Sequence, residues 1–210
     1  MLPPTIPIFP LDSVVLFPNV FLPLHIFEPR YRSMVADALE GDRIIGMILL
    51  RPGFEADYEG RPPIYNVGCA GVITHAERLG DGRFNIVLRG IEKFRITGED
   101  SSHAYRLAHI DPIPEQSTPA QREELRKQRQ RLEALLAAAV ERSGSEPRFP
   151  PAVPDEDLVN ALAQYLELDP IERQALLERE GTLPRCRALI ELLEMKSHAP
   201  RGSWDKRVSH

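Results

Sequence analysis

The amino-acid sequence predicts an α+β protein in which a small closed or pseudo-closed β-barrel precedes a bundle of α-helices. Between residues 67 and 113 apolar and polar residues follow the alternation of strands, and after Pro119 apolar residues recur at helical spacing. The proline-rich stretch DPIPEQSTPA, at residues 111–120, separates the two patterns. We expect three parts, which are a β unit with one helix over residues 1–115, a helical bundle over 118–196 and a mobile tail over 197–210.

The stretch FPLDSVVLFPNVFLPLHIFEPRYR, at residues 9–32, predicts two short strands and the start of a helix. Prolines bound or interrupt its apolar runs at 14–17 and 20–26, and a residue without a backbone N–H belongs at a sheet edge or a barrel corner. Pro29 suits the first turn of a helix, and the helical spacing that follows it ends at Gly41. The order predicted here is therefore strand, corner, strand and helix.

Strands are predicted for most of the chain between residues 43 and 113. The continuous apolar run 43–50 predicts a central strand, and residues 51–65 predict a surface loop that is a candidate rim of a binding site. Asp81-Gly82 predicts a tight hairpin turn, and Gly90 predicts a bulge that bends a strand around a barrel corner. The strands expected after the loop are residues 67–79, 83–88, 91–97 and 105–110.

Four helices are predicted after the proline-rich boundary. The first is expected to run to about residue 142, and Gly181 is expected to end the third. Each begins at a capping residue or a first-turn proline. These start signals are Thr118-Pro119, Asp155, Asp169-Pro170 and Thr182-Leu183-Pro184.

Composition and charge argue against several classes of function. A net charge of −5 and a pI near 5.7 disfavour a protein that coats nucleic acid or anionic membrane, because such binding needs clustered cations. The N-terminus lacks the basic and apolar regions of a signal peptide, and no run approaches the roughly 18 apolar residues of a membrane span. Cys69 and Cys186 lie in no metal-binding spacing, so we expect buried, reduced thiols and a cytoplasmic location.

The chemical motifs of common enzyme classes are missing from the sequence. The six histidines show no HxH or HExxH spacing, so no metal site is predicted. Gly80-Asp81-Gly82 falls in the hairpin, without the third glycine and the following helix of a dinucleotide site. There is no Gly-Lys-Ser/Thr phosphate loop and no GxSxG elbow. We therefore expect a protein that is not an enzyme and that uses no cofactor.

Aromatic residues crowd the corner between the predicted strands and the first helix. Phe17, Phe21, Phe27 and Tyr31 fall within fifteen residues, more aromatic surface than this corner can readily bury. We expect some of them to stay accessible and to anchor a protein or peptide, with His25 as a hydrogen-bonding group beside them. The proline-broken strands would also leave unpaired backbone groups, to which an extended peptide can add as a strand.

Glu28, Arg30 and Arg89 are expected to shape this corner or its rim. A carboxylate in apolar surroundings is stabilised by a cation, and pairing of Glu28 with Arg89 or Arg95 would fix the strand-to-helix corner. The alternative is that Glu28 and Arg30 form a hydrogen-bonding rim beside the aromatics. The face of arginines that includes Arg89 and Arg95 could bind phosphate, but the many acids nearby favour a solvated face.

Three stretches carry a family resemblance. They are FPLDSVVLFPNVFLPLHIFEPRYRSMV, VGCAGVITHAERLGDGRFNIVLRGIEKFRI and YLELDPIERQALLEREGTLPRCRALIELLE. In this order they resemble the N-terminal substrate-recognition domain of Lon proteases in its stand-alone bacterial form, from about Ile6 to Lys196. The resemblance implies a PUA-like pseudo-barrel followed by a helical bundle, which agrees with the periodicity and turn signals.

The resemblance implies a function in recognition. A complete Lon protease continues into an ATPase module and a serine–lysine peptidase domain, and this sequence is expected to end where they would begin. We therefore expect binding of unfolded protein segments, or of another protein, with no catalytic residue carried over. RNA binding through the PUA-like barrel is an alternative that the acidic balance disfavours. A small-molecule enzyme that uses the cleft between barrel and bundle is a third possibility. The sequence predicts neither the partner's identity nor the oligomeric state.

Overall fold

The computed structural model describes residues 2–54, 60–100, 102–141 and 153–198. The predicted tail lies outside these residues from position 199 onward, as does part of the predicted 51–65 loop. The strands and helices within the described ranges are β1 Thr5–Leu11, β2 Phe21–Ile26, α1 Pro29–Glu40, β3 Ile44–Leu49, β4 Val67–Arg78, β5 Phe84–Asp100, β6 Arg106–Ile113, α2 Pro119–Glu141, α3 Asp155–Tyr165, α4 Pro170–Leu177 and α5 Thr182–His198.

The strands form one sheet that curls into a ring. Their order is β2-β5-β4-β3-β1-β6, and β6 pairs with β5 as well. The long strand β5 pairs with β2 through residues 84–89 and with β6 through residues 93–100. Strands β5, β4, β3, β1 and β6 therefore close the ring, and β2 lies outside it on the first half of β5. The predicted α+β fold, a pseudo-barrel followed by helices, is confirmed.

Strand β1 corrects the prediction for the N-terminal stretch. It lies where the pattern predicts no strand, and residues 14–17, which are predicted to be a strand, form a non-strand connection. Pro7 and Pro10 remove two backbone donors from β1. Its residues 5–8 pair with β6 and its residues 8–11 pair with β3. Each proline thus lies in a half of the strand that is paired on one side, where a missing N–H is tolerated.

Gly90 marks the predicted bulge in β5. Pairing between β4 and β5 changes register between Ala70 and Gly71, opposite Gly90. A side chain has no room here, because a Cβ on Gly90 would overlap the carbonyl group of Phe17. The Gly90 N–H also donates to the carbonyl oxygen of Val20 at 2.9 Å. The bulge therefore positions the start of β2 as well as bending β5.

An apolar core runs from the barrel into the helical bundle. It joins residues of the sheet and of α1 to Leu125 of α2, Val159 of α3 and Leu189 of α5. A second, smaller cluster that includes Ile6 and Phe94 fills the space inside the ring. Because the larger cluster crosses the proline-rich boundary, the barrel and the bundle are packed against each other. The division into units at residues 115 and 118 stays a prediction.

Candidate functional site

Strand β2 presents two chemically different faces. Leu22, Leu24 and Ile26 face the core, and Ile26 is fully buried. Side chains of a strand alternate between its faces, so the intervening residues point the other way. The residues of β2 that are exposed on this outer side are Phe21, Pro23 and His25.

Three exposed aromatic rings lie on or beside this outer side. Phe21 is 50% exposed and Phe27 is 62% exposed, and Tyr165 at the end of α3 is 63% exposed. The Tyr165 hydroxyl donates to the carbonyl oxygen of Phe21 at 2.6 Å, and Gln164 Nε2 donates to the same oxygen at 3.3 Å. Helix α3 therefore holds the first residue of β2. The surface termed here the β2 face consists of Phe21, Pro23, His25, Phe27 and Tyr165.

His25 is held in place by side chains of the neighbouring strand and turn. Its Nδ1 lies 2.8 Å from Asn85 Oδ1, and its Nε2 lies 3.1 Å from Arg83 Nη1. Because arginine can only donate, Nε2 accepts and Nδ1 carries the proton in this arrangement. Asp81 fixes Arg83 through a 2.6 Å contact, and the His25 ring stacks near Phe27 at 6.4 Å between centroids. The imidazole is thus an ordered part of the β2 face.

Two of the predicted contact residues, Phe17 and Tyr31, belong to the core instead. Phe17 is fully buried, with its N–H donating to Gln164 Oε1 at 3.1 Å and the Arg185 guanidinium 5.5 Å above its ring. Tyr31 is buried against Phe9, with 4.4 Å between ring centroids. The prediction that these two rings face a partner is corrected, because α3, α5 and β1 cover a corner that the sequence pattern leaves open.

Glu28 and Arg30 form an ion pair with each other. Arg30 Nε lies 3.1 Å from Glu28 Oε2, and the guanidinium also lies 4.6 Å from the centre of the Tyr31 ring. Among the described residues Glu28 forms its ion pair with Arg30, and not with Arg89 or Arg95 as predicted. Arg89 is exposed on β5, directly opposite Phe21 in the β2–β5 ladder. It borders the β2 face and does not hold the corner.

Matched substitutions should separate buried from exposed aromatics. Tyr31→Leu is expected to lower the free energy of unfolding by about 1–3 kcal/mol, because it removes the ring contact with Phe9 and leaves a gap in the core. Phe21→Leu should change it by less than about 0.5 kcal/mol, because the side chain is half exposed. Urea denaturation of both variants measures the difference. Equal destabilisation would show that Phe21 is also a core residue.

A buried charge cluster joins the barrel to the bundle. Lys93 of β5 is 1% exposed, and its Nζ donates to the carbonyl oxygens of Leu177 at 3.1 Å and Arg179 at 2.6 Å. The same ammonium lies 2.7 Å from the carboxylate of Glu115, which also receives the fully buried guanidinium of Arg185. One carboxylate therefore balances two buried cations. No sequence motif predicts this cluster, because its members are far apart in the chain.

The two kinds of charge in this cluster respond differently to burial. Desolvation lowers the pKa of Lys93, since it outweighs the hydrogen bond and charge of Glu115. Burial alone would raise the pKa of Glu115, but the hydrogen bonds and charges of Arg185 and Lys93 outweigh it, so the pKa lies below its ordinary value. Glu115 interacts with two cations and Lys93 with only one carboxylate, so the charged form is stabilised at Glu115 but not at Lys93.

The cleft between barrel and bundle has a volume of about 270 Å³ and reaches the charge cluster. Its polar lining includes Asn19, Asn160 and Thr182. Lys93 also lines it, but this ammonium already donates to three acceptors. It is therefore not available as a base or a nucleophile. Lys93 therefore gives no support to the small-molecule enzyme alternative.

Neither cysteine has the environment of a reactive thiol. Burial raises the pKa of Cys69 to about 12 and that of Cys186 to about 11, so both stay protonated at neutral pH. Within residues 2–54, 60–100, 102–141 and 153–198, no group of three or more His, Cys, Asp or Glu side chains is arranged to hold a metal ion. None of the described helices combines the length and the apolar composition that crossing a membrane requires.

Solved Lon N-terminal domains share this fold. The N-terminal domain of Lon protease from the Mycobacterium avium complex is 18% identical, with a TM-score of 0.64 over 90% of this chain and 98% of that one. The Lon N-terminal domain protein from Xanthomonas campestris is 22% identical, with a TM-score of 0.58 over 93% of this chain and 99% of that one. At these identities the similarity establishes the fold class alone.

Family membership follows from the sequence itself. Residues 5–195 match the family described as the ATP-dependent protease La (LON) substrate-binding domain, and the chain belongs to this family. Lon protease 2 of Myxococcus xanthus is 26% identical over 203 residues, which are 93% of this chain and 24% of that protein. Lon protease 2 of Syntrophobacter fumaroxidans is 27% identical over 195 residues, which are 90% and 24%. The chain spans about a quarter of the length of these relatives.

Proposed function

We propose that this chain binds extended, apolar segments of other proteins on the β2 face, as a recognition module or adaptor that does not cleave them. The observation that carries the proposal is the set of three exposed rings, Phe21, Phe27 and Tyr165, on or beside the outer side of β2. The chain that presents them belongs to a substrate-binding family. Exposed aromatic rings contribute large contact areas, and they are enriched among the residues that dominate binding energies.

The β2 face is organised before any partner arrives. The Tyr165 hydroxyl is bonded to the Phe21 carbonyl group, and His25 is bonded to Asn85 and Arg83. Side chains that are already ordered lose less conformational entropy on binding, so more of their contact energy contributes to affinity. This favours a dedicated contact surface over an incidental exposure of apolar residues.

The RNA-binding alternative finds less support on this side of the sheet. Arg83 is held by Asp81, and the Arg78 guanidinium lies 5.9 Å from the centre of the Phe84 ring. Nucleic-acid surfaces depend on clustered cations that can reach phosphates. Glu77, which accepts from Asn85 at 2.9 Å, places a carboxylate beside the same strands. Protein segments therefore suit the β2 face better than RNA does.

Removing a ring from the β2 face should weaken binding. Phe21→Ala and Phe27→Ala are each expected to reduce affinity for a short apolar peptide by about 1–3 kcal/mol, or roughly 5- to 150-fold. Fluorescence anisotropy with a labelled peptide of alternating leucine and threonine measures the change. Ile171→Ala is the matched control, because Ile171 is 54% exposed but lies on α4.

The control and the salt dependence decide between the alternatives. If Ile171→Ala weakens binding as much as Phe21→Ala does, the β2 face is not the binding site. Raising the salt concentration should change peptide affinity little, because buried apolar area and not counterion release drives it. Nanomolar affinity for RNA that falls steeply with salt would favour the RNA alternative.

A further inference from the structure

Strand β2 has an outer edge that faces away from β5. The carbonyl oxygen of Val20 accepts from Gly90 of β5, whereas the carbonyl oxygen of Phe21 accepts from Tyr165 on the opposite side. Backbone groups of successive residues in an antiparallel strand point to opposite sides. The directions of the Val20 and Phe21 carbonyl groups therefore give the direction of the backbone groups of each residue that follows along β2.

Two residues of β2 direct their backbone groups to this outer edge. Counting every second residue from Phe21 gives Pro23 and His25. Pro23 offers a carbonyl oxygen, and His25 offers an N–H and a carbonyl oxygen. Among the described residues β2 pairs with β5 alone, so its outer edge has no partner strand, and no hydrogen bond from elsewhere in the described chain reaches these three groups. The position of Pro23 is consistent with this direction, because a missing N–H at the outer edge removes nothing from the ladder with β5. Unpaired edge groups of this kind are a template for another strand.

We propose that the bound protein segment adds to the outer edge of β2 as a further strand, opposite Pro23 to Phe27. This inference rests on the proposed function and specifies how the segment binds. Helix α3 closes the edge at Phe21 through Tyr165, and α1 begins at Pro29, so the segment occupies the interval between them. Main-chain hydrogen bonds to His25 supply affinity that is independent of sequence. Alternate side chains of the segment extend the β2 face beside Phe27.

The backbone donor of His25 can be removed separately from its side chain. His25→Pro deletes both, whereas His25→Ala deletes the imidazole and keeps the N–H. Since this N–H points away from β5, proline should leave the ladder with β5 intact, as Pro23 does. His25→Pro is expected to bind the leucine-threonine peptide about five- to tenfold more weakly than His25→Ala, the effect of one main-chain hydrogen bond. Circular dichroism confirms that both variants are folded.

The neighbouring proline allows the opposite change. Pro23→Ala restores a backbone N–H at the outer edge, so it is expected to bind the same peptide about two- to tenfold more tightly than the unaltered chain. A gain of affinity on replacing an exposed proline by a smaller residue has no explanation in side-chain contacts alone. Unchanged or weaker binding by Pro23→Ala, in a folded protein, would contradict strand addition.

The peptide backbone provides a test that does not depend on folding of a variant. N-methylation of single peptide amides should weaken binding at every second position, because only alternate amides face β2. Equal effects at all positions, together with equal affinities of His25→Pro and His25→Ala, would overturn strand addition. Phe21→Ala and Phe27→Ala would still weaken binding in that case, so the proposed function would stand. The proposed function itself fails when those two variants bind as tightly as the unaltered chain.

Discussion

Replacing Glu115 by Gln is expected to lower the free energy of unfolding by about 3–5 kcal/mol. The side chains of Lys93 and Arg185 are 2% and 0% exposed, and Glu115 is the carboxylate that contacts both. An amide can accept a hydrogen bond but carries no charge, so two buried cations would lose their counterion. Thermal unfolding followed by circular dichroism measures the loss, expected as a fall of roughly 10 °C in melting temperature.

Lys93→Met is the control for this substitution. It leaves Glu115 paired with Arg185 and exposes only the carbonyl groups of Leu177 and Arg179 to an apolar neighbour, so a smaller loss of about 1–3 kcal/mol is expected.

The dependence of stability on acid pH is a second test of the role of Glu115. The folded pKa of Glu115 is depressed, so its contribution is complete above the unfolded pKa and is lost as pH falls through the folded value. Stability that falls equally steeply with acid in Glu115→Gln would contradict this role.

Gly90→Ala is expected to destabilise the fold by about 4 kcal/mol or more, which places it among the exceptional single substitutions. The added methyl group would overlap the carbonyl group of Phe17. The position of a Cβ is fixed by its own backbone and the carbonyl group is part of the backbone, so neither can move aside by a side-chain rotation. The hydrogen bonds of Gly90 with Asn19 and Val20 would be strained at the same time. Urea denaturation measures the effect.

Gly80→Ala is the matched control for this change. It adds the same methyl group in the β4–β5 turn, where nothing lies within 4 Å of the new carbon, so a change within about 0.5 kcal/mol is expected. Similar destabilisation of both variants would indicate a general loss of glycine flexibility and not the close approach of Phe17 to β5.

The strands and helices could be predicted because they depend on local chemistry. Alternation predicts β4 and β5, the isolated glycine predicts the bulge at Gly90, and prolines predict the starts of α1, α2 and α4. Strand β1 could not be predicted in the same way. Its prolines are tolerated because β6 pairs with one half and β3 with the other, an arrangement that depends on strands distant in sequence.

The candidate site could be predicted only in part. The aromatic density of residues 17–31 identifies the corner, but it does not distinguish Phe21 and Phe27, which are exposed, from Phe17 and Tyr31, which the helices and β1 cover. The spacing of Tyr165 after Leu158 and Leu162 predicts only an apolar helix face. The tertiary fold is what places its hydroxyl on the carbonyl group of Phe21. Burial at a junction between two units depends on long-range packing that no local pattern contains.

Protein segments are proposed to bind the β2 face. The most direct test of this proposal is a titration of the ¹⁵N-labelled chain with the leucine-threonine peptide, followed by NMR of the backbone amides. We predict shifts in β2 and Phe27, in the facing part of β5 and at Tyr165, with the amide of His25 protected from solvent exchange. Shifts confined to the barrel–bundle cleft, around Thr182 and Asn160, or to α4 around Ile171 would contradict it.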